Sequence, residues 1–300
     1  MLLAPRLLGL SLVEAALLGA VIAAVSPAVV VPRMLHLMEQ GYGTGQGIPQ
    51  MIMAGASADD VFVLVLFTAF SDLAAGRQGS AAALGRIPVT VVCGILAGVA
   101  MGALLGLLFN KVALGRESAV VVVLSAAILL LWLEAALADV LPLSGLLGVV
   151  CMGMVLYKAH RGWAARLSGS LSSLWAGAEI LLFVLVGAEV DLRYAAASGL
   201  AAAGVVLGAA LFRMAGVALC TVGTKLRPRE RLFCMIAYLP KATVQAAIGA
   251  APLAMGLACG HTVLTGAVVS ILLTAPLGAI GIDGTYRRLL TQPQAPEVEG

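Results

Sequence analysis

Two carboxylates stand side by side, Asp59 and Asp60, in the middle of the otherwise apolar run MIMAGASADDVFVLVLFTAF (51–70). One aspartate at the centre of a membrane helix costs about 2.5–3.5 kcal/mol on insertion scales, so two in succession need a role or a partner. Successive helical residues are rotated by about 100°, and the pair therefore faces two directions. One carboxylate can be held by a fixed cation while the other faces a water-filled cavity and exchanges protons. A carboxylate is also a hard oxygen ligand, suited to Na⁺ or Li⁺ by analogy with other hard cations. A purely structural pair, ion-paired or snorkelling, is the bland alternative.

Two basic residues fall inside apolar segments. Arg213 in AALFRMAGVAL stays protonated under any ordinary condition and cannot carry a transported proton. Its natural role is a fixed counter-ion, with Asp59 the first candidate. Lys241 follows Pro240 in LPKATVQAAIG. A desolvated lysine can lose its proton, so Lys241 is either a second proton carrier or a fixed positive charge beside unwound backbone. Pro27 and Pro32 in VSPAVVVP, and Pro240, interrupt two segments. Proline removes a backbone hydrogen bond and clashes with the preceding turn, and the freed groups need new partners at membrane depth. A simple kink is one reading. Interrupted helices in corresponding halves of a chain also mark a transporter's substrate site.

The elements that must position these residues are apolar helices. The chain has 300 residues, 61% hydrophobic and 11% charged, with a mean hydropathy of +1.06. A soluble domain is nearer half apolar and a quarter charged. Apolar stretches of about 20 residues recur throughout, and the alternating pattern of a transmembrane β-barrel is absent. The expected fold class is an all-α polytopic membrane protein with about nine helices, over 7–31, 48–71, 87–109, 119–138, 144–157, 174–190, 197–222, 232–255 and 263–282. The tail from 285 to 300 is polar.

Charge sorting supports that count. Arg33, Lys111, Arg116, Lys158, Arg161, Arg166, Lys225, Arg227, Arg229, Arg231, Arg287 and Arg288 fall on one side, against Arg6, Arg77, Arg86 and Arg193 on the other. The richer side is expected in the cytoplasm, with the N-terminus outside and the C-terminus inside. A cleaved signal peptide is not expected, because no polar mature region follows the first apolar run.

The segments VSPAVVVP, GYGTGQGIPQMIMAGASADD, LLFVLVGAEVDL and YLPKATVQAAIG together resemble the monovalent cation:proton antiporter superfamily, nearest the sodium/hydrogen exchanger-like proteins with a double aspartate. The similarity extends over about 26–276, with SADD and PKATVQA its specific parts. It implies an inverted-repeat fold with two crossing, unwound helices. It implies core helices over about 7–73 and 197–283 moving past a dimerisation and linker part within 87–190, and a homodimer. It carries Asp60 over as the main ion-binding and proton-carrying carboxylate, Asp59 as its salt-bridged neighbour, Arg213 as a basic partner and Lys241 as the lysine of the second broken helix. Ser26 and Thr243 lie at the breaks, where they can supply oxygens beside Pro27 and Pro240. Members of the superfamily carry further helices before VSPAVVVP, and this chain is expected to lack them.

The function implied is a secondary antiporter, not an enzyme, exchanging Na⁺ or Li⁺ for H⁺ at Asp60 in pH homeostasis. It needs no cofactor, and its setting is a bacterial plasma membrane. Three rivals stand beside it: a non-transporting membrane subunit of the same fold, a transporter of K⁺ or of an organic anion with Na⁺, and an intramembrane aspartyl protease. The protease needs converging carboxylates, which neighbours on one helix do not supply.

Other signals are weaker. Cys93, Cys151, Cys220, Cys234 and Cys259 are scattered singly, without the paired spacing of a metal site or disulfide framework. GYGTGQG lacks the GK[ST] ending of a phosphate loop and reads as a turn. TKLRPRERL suits topology and anionic lipid, and nucleic acid is not an expected partner. Glu14 is placed near the outer interface, and Glu179 in the first turn of its helix, where the dipole favours an anion. Glu134 and Asp139 are placed at an interface, and Glu189 and Asp191 at the outer entrance. His36, His160 and His261 are placed in loops, with His36 a candidate sensor of cytoplasmic pH.

Overall fold

The computed structural model describes residues 2–76, 80–112, 114–137, 140, 141 and 143–292. Arg77, Asp139 and the tail from 293 lie outside the described residues, as does the side chain of Arg86. Among the described residues every regular element is helical. Seven helices there are long and apolar enough to cross a membrane, and two shorter apolar ones cover Gly145–Ala159 and Thr243–Ala254.

Both proline-marked segments are broken. After the short α1 (Ala4–Leu8), α2 (Leu12–Ala23) opens on a capping box. Ser11 N donates to Glu14 Oε2 at 2.9 Å and Glu14 N donates to Ser11 Oγ at 3.3 Å. Glu14 is thus a cap, satisfying a first-turn donor. The chain then runs extended at Ala24 and Ser26 before α3 (Pro27–Glu39). Pro27 suits the first position of α3, where its fixed φ is helical and its missing N–H has no partner to lose. Pro32 is carried inside α3 without ending it. The second break separates α10 (Pro228–Ala237) from α11 (Thr243–Gly249) and the single turn α12 (Ala251–Ala254), with Pro240 and Lys241 in the non-helical stretch.

The other helices are α4 (Ile48–Ala74), α5 (Ser80–Lys111), α6 (Arg116–Ala136), α7 (Gly145–Ala159), α8 (Arg161–Ala188), α9 (Leu192–Cys220) and α13 (Gly260–Leu289). The expectation for 174–190 falls short. The helix begins at Arg161, so Arg161 and Arg166 are helical rather than in a loop, and Glu179 lies in its middle, away from the first-turn dipole. Hydropathy detects only the apolar half of α8, whereas Ala, Arg and Leu in RGWAARLSGSL continue the helix at little cost. His36 lies in α3 and His261 in the first turn of α13, not in loops; His160 follows α7.

The chain forms two compact units, residues 1–63 with 185–300, and residues 64–184. In the second, Gly94, Gly98 and Gly102 recur every four residues along α5 and face α7. A Cβ on Gly98 would strike the Gly148 backbone. This is the small-residue contact by which membrane helices approach closely. Leu105, Phe109, Val120, Leu130, Met152 and Leu156 fill the core around it.

In the first unit, Val25, Val30, Met34, Ile48, Ile52, Phe233 and Ile282 form the core, joining both broken segments to α4 and α13. At one end three connections meet. Gly43 N donates to Thr291 O (2.9 Å), Gln292 Nε2 to Gln40 O (3.0 Å) and Thr291 Oγ1 to the buried Glu230 (3.4 Å). GYGTGQG is the turn between α3 and α4, and Gly43, with φ of 67°, gives room to Leu290. Asp191 caps α9, accepting from Arg193 N (2.8 Å) and Tyr194 N (3.1 Å).

Candidate functional site

The backbone opened at 24–26 sets the geometry. A helix end leaves its last carbonyls without intrahelical donors, and at membrane depth protein groups must answer them. Three side chains do so at the C-terminal end of α2. Arg213 Nη1 donates to Ala23 O at 2.6 Å. Lys241 Nζ donates to Ala23 O at 3.2 Å and Ala24 O at 3.3 Å. Gln245 Nε2 donates to Val21 O at 3.1 Å and Ala24 O at 2.9 Å. One of the three, Arg213, is a fixed cation, which suits the negative end of a helix dipole.

The same peptide is bonded at its other end. Val25 N donates to Asp59 Oδ2 at 2.9 Å, so the Ala24–Val25 peptide group joins Lys241 and Gln245 on its oxygen side to Asp59 on its nitrogen side. Asp59 Oδ2 also accepts from Arg213 Nη2 at 2.6 Å, with both side chains about 20% exposed. Charge-assisted bonds of this length are the strong class. The Arg213 guanidinium lies 5.6 Å from the Tyr238 ring centre, a cation–π contact. Tyr238 reaches over Gly55, one turn before Asp59, and its hydroxyl fills the place a Cβ would take there.

The two breaks touch directly, Ser26 N donating to Pro240 O at 2.8 Å. Lys241 N donates to Thr274 Oγ1 at 3.1 Å, and Thr274 Oγ1 donates to Ser270 O at 2.8 Å, fixing the second break on α13. Pro240 packs on Gly278 so closely that a Cβ there would strike its ring.

Among the sequence-selected residues, Asp59 and Arg213 form an ion pair, and Ser26 and Pro240 meet. Lys241 lies on carbonyls and makes no ion pair within 4 Å among the described residues. Thr243 is buried at the start of α11. Asp60 is part-buried, and its Oδ1 has no hydrogen-bond partner. The buried Ser26 Oγ and Gln245 Oε1 have none either. An unsatisfied buried polar atom costs about 1–3 kcal/mol and calls for an explanation, such as a water or an ion. A cavity of about 450 Å³, walled by Leu3, Leu18, Ile22 and Phe212, reaches Arg213 and Lys241.

Sequence reasoning missed Gln245, Thr274, Tyr238 and Gly278. Gln245 had a signal: it is polar in an apolar segment, four residues beyond Lys241. Thr274 and Gly278 had none, since threonine and glycine are ordinary in membrane helices.

Residues 1–285 match the family described as "Sodium/hydrogen exchanger, transmembrane". Sodium/hydrogen exchanger 9B2 of Homo sapiens is 35% identical over 322 aligned positions, covering 100% of this chain and 58% of that protein. Sodium/hydrogen exchanger 9B1 of Homo sapiens is 30% identical, covering 93% and 56%. The chain thus spans a little over half the length of these relatives. The sodium proton antiporter MjNhaP1 from Methanocaldococcus jannaschii superposes with a TM-score of 0.79 over 95% of this chain and 73% of that one, at 19% identity, a likeness of fold. The family match takes in both helix breaks, the aspartate pair and the arginine that holds one of them, and the chain is an integral membrane protein of the sodium/hydrogen exchanger family.

Proposed function

We propose that the protein is a secondary antiporter exchanging Na⁺ or Li⁺ for H⁺, with Asp60 bound alternately to cation and proton. One observation carries the assignment. Arg213 and Val25 N engage Asp59, whereas Asp60 Oδ1 is buried without a partner. A carboxylate held by a fixed guanidinium does not need to leave it during a cycle. An unpartnered carboxylate is the one that gains from a proton or a hard cation. Because both ligands compete for one group, each excludes the other, and that competition couples the two gradients.

The relatives are named sodium/hydrogen exchangers, which favours these substrates. The protease reading lacks support, since it needs two converging carboxylates and Asp59 is bonded to Arg213 and Val25 N. The proposal includes a homodimer, implied by family resemblance, with the α3–α4 turn, the start of α10 and the C-terminus in the cytoplasm. The meeting of those three connections at one end of their unit favours a common side, and the excess of basic residues favours the cytoplasmic one.

The test is reconstitution of the purified chain in liposomes with a pH-sensitive dye inside. Imposed Na⁺ or Li⁺ gradients should drive opposite proton movement across a pH series, with K⁺ a weaker driver. Absence of cation-driven proton movement at every pH would refute the reading.

A further inference from the structure

The described residues contain four buried side-chain polar atoms without a hydrogen-bond partner: Ser26 Oγ, Asp60 Oδ1, Ser71 Oγ and Gln245 Oε1. Three of them lie on residues that bond the Ala24–Val25 peptide or that adjoin it or its partner in sequence. Gln245 bonds the Ala24 oxygen through its nitrogen. Ser26 follows Val25 directly, and Asp60 follows Asp59, which accepts from Val25 N. Consecutive Cα atoms are about 3.8 Å apart, so the three oxygens belong to side chains rooted within a residue or two of the Ala24–Val25 peptide or of its direct partners. Buried oxygens without a partner are groups that an ion or a water can satisfy.

Gln245 has a feature that the other two lack. Its side chain is fully buried, and both carbonyls at its nitrogen end, Val21 O and Ala24 O, can only accept. That fixes which end of the amide is nitrogen. The oxygen is therefore held away from those carbonyls and cannot turn to satisfy itself. It is a neutral, hard, orientationally locked acceptor, the type of group that lines a site for a dehydrated hard cation.

We infer that Gln245 is a direct ligand of the transported cation, its side-chain oxygen completing with Ser26 Oγ and Asp60 Oδ1 an oxygen site for a small monovalent ion. The inference rests on the antiporter reading above and deepens it by naming a residue that sets cation selectivity. The two ends of the amide then have separate duties: the nitrogen secures the end of α2, and the oxygen meets the ion. An oxygen on a locked amide defines a cavity of fixed size, so its removal or retraction alters discrimination between Li⁺ and Na⁺, not only overall affinity.

The experiment compares native protein with Gln245→Met, Gln245→Glu and Gln245→Asn in two readouts. One is the NaCl- or LiCl-induced rise in melting temperature of the detergent-solubilised full chain, with choline chloride as control. The other is KM and kcat for Na⁺ and Li⁺ in proteoliposomes. Gln245→Met, which loses the oxygen, should raise KM at least tenfold more than it lowers kcat and should abolish the cation-induced melting shift. Gln245→Glu keeps an oxygen and should hold KM within about threefold of native or lower it. Gln245→Asn retracts the oxygen by one methylene and should change the Li⁺ to Na⁺ preference at least threefold. If Gln245→Met does not fold, the asparagine and glutamate variants decide. An unchanged preference in Gln245→Asn, or in Gln245→Glu a KM raised at least tenfold and equally for both ions, overturns the assignment and leaves Gln245 a clamp. A native melting shift that persists in Gln245→Met overturns it as well. A native protein with neither cation-driven exchange nor a melting shift overturns the antiporter reading first, and this inference with it.

Discussion

Arg213 and Asp59, 154 residues apart in sequence, are joined by a 2.6 Å hydrogen bond between Nη2 and Oδ2. The pair ties α9 to α4 beside the first helix break, and Asp59 also anchors that break through Val25 N. Removing either partner leaves the other charge in a part-buried site without its counter-ion. Loss of one member of a buried pair costs about 3–5 kcal/mol, and the partial exposure of both lowers the expectation to about 2–4 kcal/mol. Arg213→Gln should therefore depress the melting temperature of the purified protein strongly, and the double variant Arg213→Gln/Asp59→Asn should recover part of the loss. A double-mutant cycle on melting in detergent measures that coupling.

The Arg33–Asp283 pair makes the contrast. It is as well formed, with Nε to Oδ1 at 3.0 Å, but its carboxylate side chain is 58% exposed. Exposed pairs contribute about 0–1 kcal/mol. Asp283→Asn should leave the melting temperature nearly unchanged, far below the effect of Arg213→Gln under the same conditions.

Gly278 seats the second break. A Cβ there would collide with the ring and backbone nitrogen of Pro240, and Pro240 O receives the Ser26 N–H that joins the two breaks. Overpacking a tight contact costs about 1–3 kcal/mol. Gly278→Val should lower the melting temperature accordingly and slow cation-driven proton movement. Gly284→Val on the same helix, where a Cβ meets nothing within 4 Å, should do neither.

Lys241 shares its carbonyl partners. Ala23 O retains Arg213 and Ala24 O retains Gln245 when the lysine side chain is removed. The loss should then be that of ordinary hydrogen bonds, about 1–2 kcal/mol in all. Lys241→Met should fold and melt modestly earlier than the native protein. A collapse comparable to Arg213→Gln would mean that the lysine does more than hold the α2 carbonyls.

The chemistry-bearing residues were legible in the sequence because they violate its background. Asp59, Asp60, Arg213 and Lys241 are charges in apolar segments, and Pro27 and Pro240 mark both breaks. The fixed charge of the Arg213 guanidinium calls for one aspartate as partner, and the family resemblance implies that it is Asp59. The seating of Lys241 on Ala23 and Ala24 did not, because backbone carbonyls freed at a break leave no trace in residue type. Gln245 carries no charge to set it apart, although it lies four residues beyond Lys241. Glu179 and the start of α8 were misplaced because hydropathy ends where the apolar run ends, and the helix does not. Gly278 and Thr274 act only through what packs against them, which composition does not record.

The central claim is that Asp60, not Asp59, is the carboxylate that takes up the cation and the proton. The direct measurement is Na⁺-driven proton efflux from proteoliposomes of equal protein content containing native protein or Asp60→Asn. The side chains are nearly isosteric, and Asp60 makes no ion pair within 4 Å among the described residues, so Asp60→Asn should fold and melt close to the native temperature. The account predicts native exchange and no Na⁺-driven proton efflux above that of empty liposomes in Asp60→Asn. Exchange that persists in a well-folded Asp60→Asn protein would contradict it.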